Sequence, residues 1–156
     1  MTTLFKKLKL PSSLDEILIL NEPEGFASEL DKLQNISIKE SLVQVSEVDF
    51  AIVFVTDIKE IENRIETLYP KLIGDAILWF AHPNQNSKRF ISNISSSYGW
   101  GILDDYDLIA VKKLAINKDW EGIRFRKATY TNPYMRLKQK FLNKRKSSIT
   151  KTPKTT

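Results

Sequence analysis

The sequence predicts an α/β fold of three layers, in which helices cover both faces of a mostly parallel β-sheet. Short apolar runs alternate along the chain with segments of helical spacing, which is the order of βαβ units. The last two apolar segments follow each other through a short polar connection, as expected for an antiparallel hairpin at the edge of such a sheet.

The N-terminal part of the chain predicts two strands and a helix. Residues 16–20 (EILIL) indicate a buried strand, because the apolar run is short and leads into turn residues. Residues 25–34 have apolar side chains at helical spacing and predict a short helix. Residues 36–42 are a weaker strand candidate, and their place in the sheet stays open.

A central strand and a well-marked helix follow. Residues 50–55 (FAIVFV) form a continuous β-branched and aromatic run, which is typical of a strand covered on both faces. Asp57 supplies N-cap chemistry, with Glu60 three residues later as a capping-box partner. The helix is expected to end near Pro70 and to bury one stripe, made of Ile58, Ile61, Ile65 and Leu68.

The C-terminal part of the body predicts three further strands. Residues 76–81 (AILWFA) indicate a buried strand. Ser87 is a candidate cap for another helix, whose inward-facing residues would be Phe90, Ile91, Ile94 and Tyr98. Residues 107–116 and 122–129 indicate the closing strand pair, because apolar and cationic side chains alternate over 123–126.

Composition excludes several classes of protein. At 156 residues the chain is long enough to bury a sizeable core in one domain. It has no cysteine and one histidine, which excludes disulfides and argues against most transition-metal sites. No apolar run approaches the roughly 20 residues that a membrane span needs. The polar N-terminus does not resemble a signal peptide, so a cytoplasmic protein is expected.

Charge is distributed unevenly along the chain. The net charge is +5, yet residues 1–121 carry 13 cationic against 19 acidic side chains and have a net charge of −6. We therefore expect one acidic domain over residues 1–131 and a basic, largely disordered tail over 132–156. The tail could bind nucleic acid non-specifically, an anionic surface, or the protein's own body. Its polyanion-binding candidates are Arg136, Lys138, Lys140, Lys144, Arg145 and Lys146.

Three segments carry a resemblance to a known family. LNEPEGF (20–26), ILWFAHPNQNSK (77–88) and GWGILDDYDLIAVKKLAINKDWEGIRF (99–125) resemble a family of small bacterial proteins of unknown function. Its pattern combines an LNxPEGF-like turn, a strand ending in LWxxYPK, a GWG motif and a closing W-x-x-x-R-F. His82 stands where a tyrosine is commoner in that pattern. The family implies no activity for this chain.

The order of elements is more distantly similar in topology to Rossmann-like methyltransferases. That similarity implies a Rossmann-like three-layer sandwich with an antiparallel C-terminal hairpin, and it does not fix a function.

The carboxyl ends of the predicted parallel strands are the best candidate for a binding site, since ligands of open α/β sheets bind there. The ligand-binding candidates at these ends are Asn21, Glu22, Gly25, Thr56, His82, Asn84, Asn86 and Lys88. The alternative is a set of ordinary strand ends, turns and helix caps. Because no general-base partner for His82 can be identified, we assign no catalytic residue and favour binding over catalysis.

The first strand-to-helix turn, NEPEGF, argues against a dinucleotide. It has one glycine, Gly25, where a dinucleotide-binding turn has three. Glu22 and Glu24 would repel a pyrophosphate. S-adenosylmethionine has no phosphate and is less clearly excluded. The sequence therefore leaves the cofactor unknown.

Two further groups are interpreted as structural. One is an acidic cluster of Asp104, Asp105 and Asp107. It lacks the glycine and distal glutamate of a calcium loop, so a solvated turn is favoured and no metal site is predicted. Trp79 is expected in the core, and Trp100 and Trp120 are expected to close the end of the sheet.

Three functional hypotheses remain. The leading one is a non-catalytic or degenerate Rossmann-like binding or accessory module, which uses the crevice between Asn21, Thr56 and His82. The second is a methyltransferase-like transferase that binds an adenosyl ligand through an unusual loop. The third is a protein tethered to polyanions by its tail. The partner is an unknown small molecule or protein. Whether the protein is an enzyme stays open, although the lack of a recognisable catalytic set argues against an enzymatic role.

Overall fold

The computed structural model describes residues 2–132, so the six tail cations proposed for polyanion binding lie outside the described residues. One sheet contains β1 (Glu16–Leu20), β2 (Ser37–Lys39), β3 (Val48–Phe54), β4 (Leu72–Pro83), β5 (Leu108–Ala115) and β6 (Trp120–Lys127). The α-helices of this part of the chain are α1 (Thr3–Lys7), α2 (Ala27–Leu30) and α3 (Ile58–Leu68). None of them is long and apolar enough to cross a membrane.

The sheet has the mostly parallel arrangement that the sequence predicts. Its strand order is β2-β1-β3-β4-β6-β5. The first four strands in this order pair in parallel, whereas β6 is antiparallel to both β4 and β5. The α/β fold class and the antiparallel C-terminal hairpin are therefore confirmed.

Apolar side chains cover both faces of the sheet. Because side chains alternate along a strand, Trp79 contributes to the cluster on one face and Phe80 to the cluster on the other. We call these the Trp79 face and the Phe80 face. The helix α3 packs on the Phe80 face, and α1 packs on the Trp79 face. This double burial explains why the central strands are continuous apolar runs.

The helix α3 forms where its caps and apolar stripe predict it. Asp57 is the N-cap, and its carboxylate accepts a hydrogen bond from Lys59 N. Glu60 accepts from the backbone N–H of Thr56 at 2.8 Å, one residue earlier than a capping box would require. Ile61, Ile65 and Leu68 are fully buried, which fixes the helix against the sheet.

The helix predicted from Ser87 is wrong, because residues 84–99 contain no helix. Ile91, expected to face inward, is 94% exposed, while Ile94 is buried. Side chains in this segment form hydrogen bonds to backbone groups that are distant in sequence instead. The Asn84 amide donates to Lys118 O at 2.7 Å, and Asn93 Oδ1 accepts from Ile58 N at 3.0 Å. Asn and Ser commonly compete with helix formation in this way.

Two other elements are much shorter than predicted, whereas β4 is longer, at Leu72–Pro83 against the predicted 76–81. The helix predicted over 25–34 is only the single turn Ala27–Leu30, and it begins without a side-chain cap. The weak strand over 36–42 forms only at Ser37–Lys39, where it pairs in parallel with β1. Asn35, between these two elements, adopts the left-handed conformation that asparagine tolerates, with a φ of 60°.

The sequence analysis did not anticipate α1. Phe5 and Leu8 are fully buried on the Trp79 face. The indole N–H of Trp79 donates to Leu8 O at 2.9 Å, which ties the N-terminal segment to the central strand β4. Thr2 caps the helix by accepting from Phe5 N at 3.1 Å. This cap is the signal by which the helix could have been found.

Candidate functional site

The sheet has a topological switch point at β1. The chain passes from β1 to β2 on one side and then returns to β3 on the other side of β1. In open α/β sheets, ligands bind in the crevice at the carboxyl ends of the strands beside such a point. Asn21 follows β1 directly, Glu40 follows β2 directly, and Thr56 comes two residues after β3. These residues therefore border the candidate crevice.

Asn21 and Thr56, both predicted from the sequence, are brought together by Glu60. The Asn21 side-chain amide donates to Phe54 O and to Glu60 Oε2, each at 3.2 Å. Glu60 Oε1 accepts from the Thr56 N–H at 2.8 Å and from its hydroxyl at 3.0 Å. Asn21 adopts the left-handed conformation that asparagine tolerates, with a φ of 59°. The network joins the ends of β1 and β3, and its polar groups satisfy one another.

A pair of carboxyl groups, Glu22 and Glu40, lies on the other side of the switch point. Burial raises the pKa of Glu22, and the neighbouring carboxyl of Glu40 adds a hydrogen bond and charge repulsion; the charge of Asp31 adds further repulsion. Glu22 Oε2 is buried and has no hydrogen-bond partner within residues 2–132. Glu40 is exposed. The pair therefore offers acceptor oxygens to a ligand at the ends of β1 and β2.

Glu40 is a residue that the sequence analysis missed. An acid placed about 20 residues after the first turn commonly holds a ribose hydroxyl in Rossmann-type sites. Glu40 comes at that distance from Asn21 and directly follows β2. Because the strand over 36–42 was only a weak candidate, this position could not be recognised before the sheet was known.

Gly25 lies in the same turn and has the backbone conformation that glycine adopts most easily, with a φ of 95°. A Cβ atom built at this position would meet no atom within 4 Å. Gly25 is therefore required by its backbone conformation, and the space around it is open. The turn is closed by a hydrogen bond from Phe26 N to Pro23 O at 3.1 Å.

His82 is buried, with 1% of its surface exposed. Its Nε2 lies 3.1 Å from Glu121 Oε1, and its Nδ1 lies 2.9 Å from Pro83 O. The ring packs edge-on to Trp100 at a centroid distance of 5.7 Å. Glu121 is the acid partner that the sequence did not reveal, since it stands opposite His82 only through the pairing of β4 with β6. In this geometry the imidazole anchors the strand end.

The polar loop after His82 is bound to the β5–β6 hairpin. Asn84 N donates to Asp119 O at 2.8 Å, and its side-chain oxygen accepts from Asn86 N at 2.9 Å. Ser87 Oγ donates to Asp119 Oδ1 at 3.1 Å. Lys88 is exposed. The eight predicted residues thus divide between the switch point around Asn21 and the end of β4 with the loop that follows it.

The other groups singled out in the sequence are the three tryptophans and the acidic cluster. Trp79 is fully buried, and Trp100 and Trp120 are 7% and 4% exposed, in agreement with the prediction. Asp104 and Asp105 lie in a 3₁₀ helix rather than in a solvated turn. Within residues 2–132, no group of three or more His, Cys, Asp or Glu residues could hold a metal ion.

Several solved structures that superpose on this chain are described as methyltransferases. An S-adenosylmethionine (SAM)-dependent methyltransferase from Aquifex aeolicus superposes with a TM-score of 0.55 at 15% identity, covering 79% of this chain and 87% of that one. The N-methyltransferase NodS from Bradyrhizobium japonicum WM9 gives a TM-score of 0.50 at 14% identity, covering 80% and 93%. The DhpI-SAM-HEP complex gives 0.52 at 8% identity, covering 78% and 83%.

The chain shares its fold with methyltransferases. No family model matches the sequence, and no curated protein matches it. At identities of 8–15% the similarity shows the methyltransferase-like fold alone. It agrees with the distant topological similarity inferred from the order of elements.

Proposed function

We propose that the protein is a methyltransferase-like transferase that binds an adenosyl ligand of the SAM type at the carboxyl ends of β1, β2 and β3. The observation that carries the proposal is the Glu22–Glu40 carboxyl pair beside the topological switch point. The likeness to methyltransferase structures supports this function over a purely non-catalytic module.

The carboxyl pair fits the chemistry of an adenosyl ligand. Carboxylates accept hydrogen bonds, and a ribose diol presents two hydroxyl donors. The exposed carboxylate of Glu40 can accept from such a hydroxyl, and Glu22 lies directly beside it. SAM carries a positive sulfonium and no phosphate, so the charge of Glu22, Glu24 and Glu40 attracts it. The same charge repels the pyrophosphate of a dinucleotide.

Each residue of the crevice has a separate role in this proposal. Glu40 accepts from the ribose, and Glu22 lines the buried side of the same position. Gly25 lets the ligand approach the backbone of the turn, because the space beside it is open. The Asn21–Glu60–Thr56 network holds the two strand ends at a fixed separation. The bound ligand would supply an activated methyl group, and these residues bind and orient it.

A specific observation favours a second candidate, a module that binds the ligand without transferring its methyl group. His82, the only histidine, is 1% exposed, so its ring is not accessible as a base to an acceptor in the crevice. A methyl-transfer assay with radiolabelled SAM and a cell extract as acceptor source separates the two candidates. Labelled product supports the transferase, and adenosyl binding without product supports the accessory module.

The proposal is tested by thermal shift and isothermal titration calorimetry with SAM, S-adenosylhomocysteine, NAD and ATP. We expect both adenosyl ligands to raise the melting temperature, and NAD and ATP to leave it unchanged. Glu40→Gln should weaken binding by about 10-fold or more, since a hydrogen bond to a charged group contributes roughly 1.5–3 kcal/mol.

The matched control is Glu47→Gln, which removes the same charge from an exposed position just before β3. Glu47 lies at the amino end of this strand, away from the carboxyl ends that form the candidate site. It should bind as the parent protein does. The proposal fails if neither adenosyl ligand binds, or if Glu47→Gln weakens binding as much as Glu40→Gln.

A further inference from the structure

Two cationic side chains face each other on the C-terminal hairpin. Lys112 of β5 stands directly opposite Arg124 of β6, and Arg124 stands opposite Trp79 of β4. Opposed residues of antiparallel strands project from the same face with Cβ atoms about 4.5–5.5 Å apart. Lys112 and Arg124 therefore lie side by side on the Trp79 face. Like charges in this position destabilise a sheet, and an anion bound beside the pair would offset that cost.

The described residues do not supply that anion to Arg124. Its Nε is buried and has no hydrogen-bond partner within residues 2–132. Burial lowers the pKa of Arg124, and the charge of Arg126 lowers it further, against a smaller opposing effect of Asp75. The nearby carboxylate of Asp75 is already engaged, because Arg126 binds it through Nε at 2.9 Å and through its terminal nitrogen at 2.7 Å.

We propose that Lys112 and Arg124 form a binding site for the phosphate backbone of a nucleic acid strand. A phosphate oxygen can accept hydrogen bonds from the Arg124 guanidinium while the Lys112 ammonium neutralises the remaining charge. Such contact places an anion beside two neighbouring cations. Both side chains are cationic and can donate but not accept hydrogen bonds, so the ligand that they bind is an anionic acceptor.

The surroundings of the pair fit an extended chain of phosphates. Lys112 is exposed on the edge strand β5, where one small phosphate would meet few donors. The neighbouring helix α1 is held on this face by the bond from Trp79 Nε1 to Leu8 O. Three exposed lysines belong to this helix or follow it closely, namely Lys6, Lys7 and Lys9. Successive phosphates of one strand can contact cations on both elements.

The apolar surface argues against an anionic membrane as the partner. The large apolar side chains exposed in the described part of the chain belong to none of α1, β5 and β6; they are Val43, Ile91, Tyr98 and Tyr130. A membrane-binding surface usually adds apolar insertion to its basic charge. The surface around Arg124 offers charge alone, as a nucleic-acid backbone requires.

The test uses the full chain and a fluorescent single-stranded oligonucleotide of about 20 nucleotides. Anisotropy titrations compare Arg124→Gln, Lys112→Gln and the matched control Lys113→Gln. Lys113 lies on the same strand but opposite Ile123, hence on the Phe80 face. Each of the three variants loses one positive charge, so the remaining cations of the chain contribute equally to oligonucleotide binding in all three. Titrations between roughly 50 and 200 mM salt give the number of phosphate contacts.

We expect Arg124→Gln and Lys112→Gln to weaken binding about 3- to 10-fold, and Lys113→Gln less than 2-fold. Lys112→Gln should reduce the slope of log affinity against log salt by about 0.7, the value for one phosphate of a single strand. Its melting temperature should not fall, because a repulsive pair is removed. Equal weakening by all three variants, or no oligonucleotide binding, contradicts the proposal. Binding to phosphatidylserine vesicles in place of the oligonucleotide also contradicts it.

Discussion

At the residue scale, Glu22 shows how one side chain can indicate a site that no sequence motif marks. Its buried oxygen has no partner among the described residues, and its pKa is raised by burial and by Glu40. A carboxyl group in this environment destabilises the folded state when it is ionised. We therefore expect the ionised Glu22 to lower the stability of the folded chain.

The substitution Glu22→Gln should change how stability depends on pH. The folded-state pKa of Glu22 lies above its usual value of 4.5, so the proton that Glu22 binds stabilises the folded chain. This stabilisation is fully present below the usual value of 4.5. It is lost as the pH rises through the folded-state pKa. Glutamine carries no such charge, so Glu22→Gln should be more stable than the parent at about pH 7, with the advantage shrinking towards pH 4. Urea unfolding across this range measures it.

The control for this prediction is Glu24→Gln, an exposed acid in the same turn. It should follow the parent protein at each pH. A parallel pH dependence of the parent and Glu22→Gln would show that Glu22 is as well solvated in the folded chain as in the unfolded one.

His82 is the second residue with a measurable consequence. His82→Phe keeps an aromatic ring against Trp100 but leaves Glu121 and Pro83 O without the imidazole. We expect a loss of about 1–3 kcal/mol in the free energy of unfolding, the cost of an unsatisfied buried group. Glu121→Gln keeps an oxygen acceptor and should cost less. If His82→Phe unfolds at the same urea concentration as the parent, the His82–Glu121 contact does not stabilise the fold.

At the element scale, the sequence predicted the elements whose signals are local. The strands β1, β3 and β4 and the helix α3 follow from apolar runs and from the Asp57 cap. The segment 84–99 was misassigned because helical spacing of apolar residues was taken as sufficient. Hydrogen bonds to residues far away in sequence decide its path, and they cannot be found before the sheet is assembled. The Glu22–Glu40 pair was missed for the same reason.

Two isoleucines of this segment provide a matched test. Ile94 is 6% exposed and packs on the Phe80 face, whereas Ile91 is 94% exposed. Ile94→Ala should therefore cost about 2–5 kcal/mol, and Ile91→Ala no more than about 0.5 kcal/mol. Chemical denaturation of the two variants measures both values. Equal destabilisation would favour the helix predicted from Ser87, in which both side chains face inward.

At the scale of the whole molecule, the strand order places the candidate site. The order β2-β1-β3-β4-β6-β5 creates the switch point at β1 and brings Glu40 next to Glu22. The same order puts Arg124 opposite both Trp79 and Lys112. Fold class and the closing hairpin could be predicted from the order of elements, but neither the place of β2 beside β1 nor the register of the hairpin could. Both proposed sites depend on those neighbours.

The most direct test of the central claim is a crystal structure of the full chain grown with saturating S-adenosylhomocysteine. We predict that the ligand lies across the carboxyl ends of β1 and β2, with its ribose hydroxyls about 2.7–3.2 Å from the Glu40 carboxylate. A ligand bound elsewhere on the molecule, or no ligand at saturating concentration, would contradict the account.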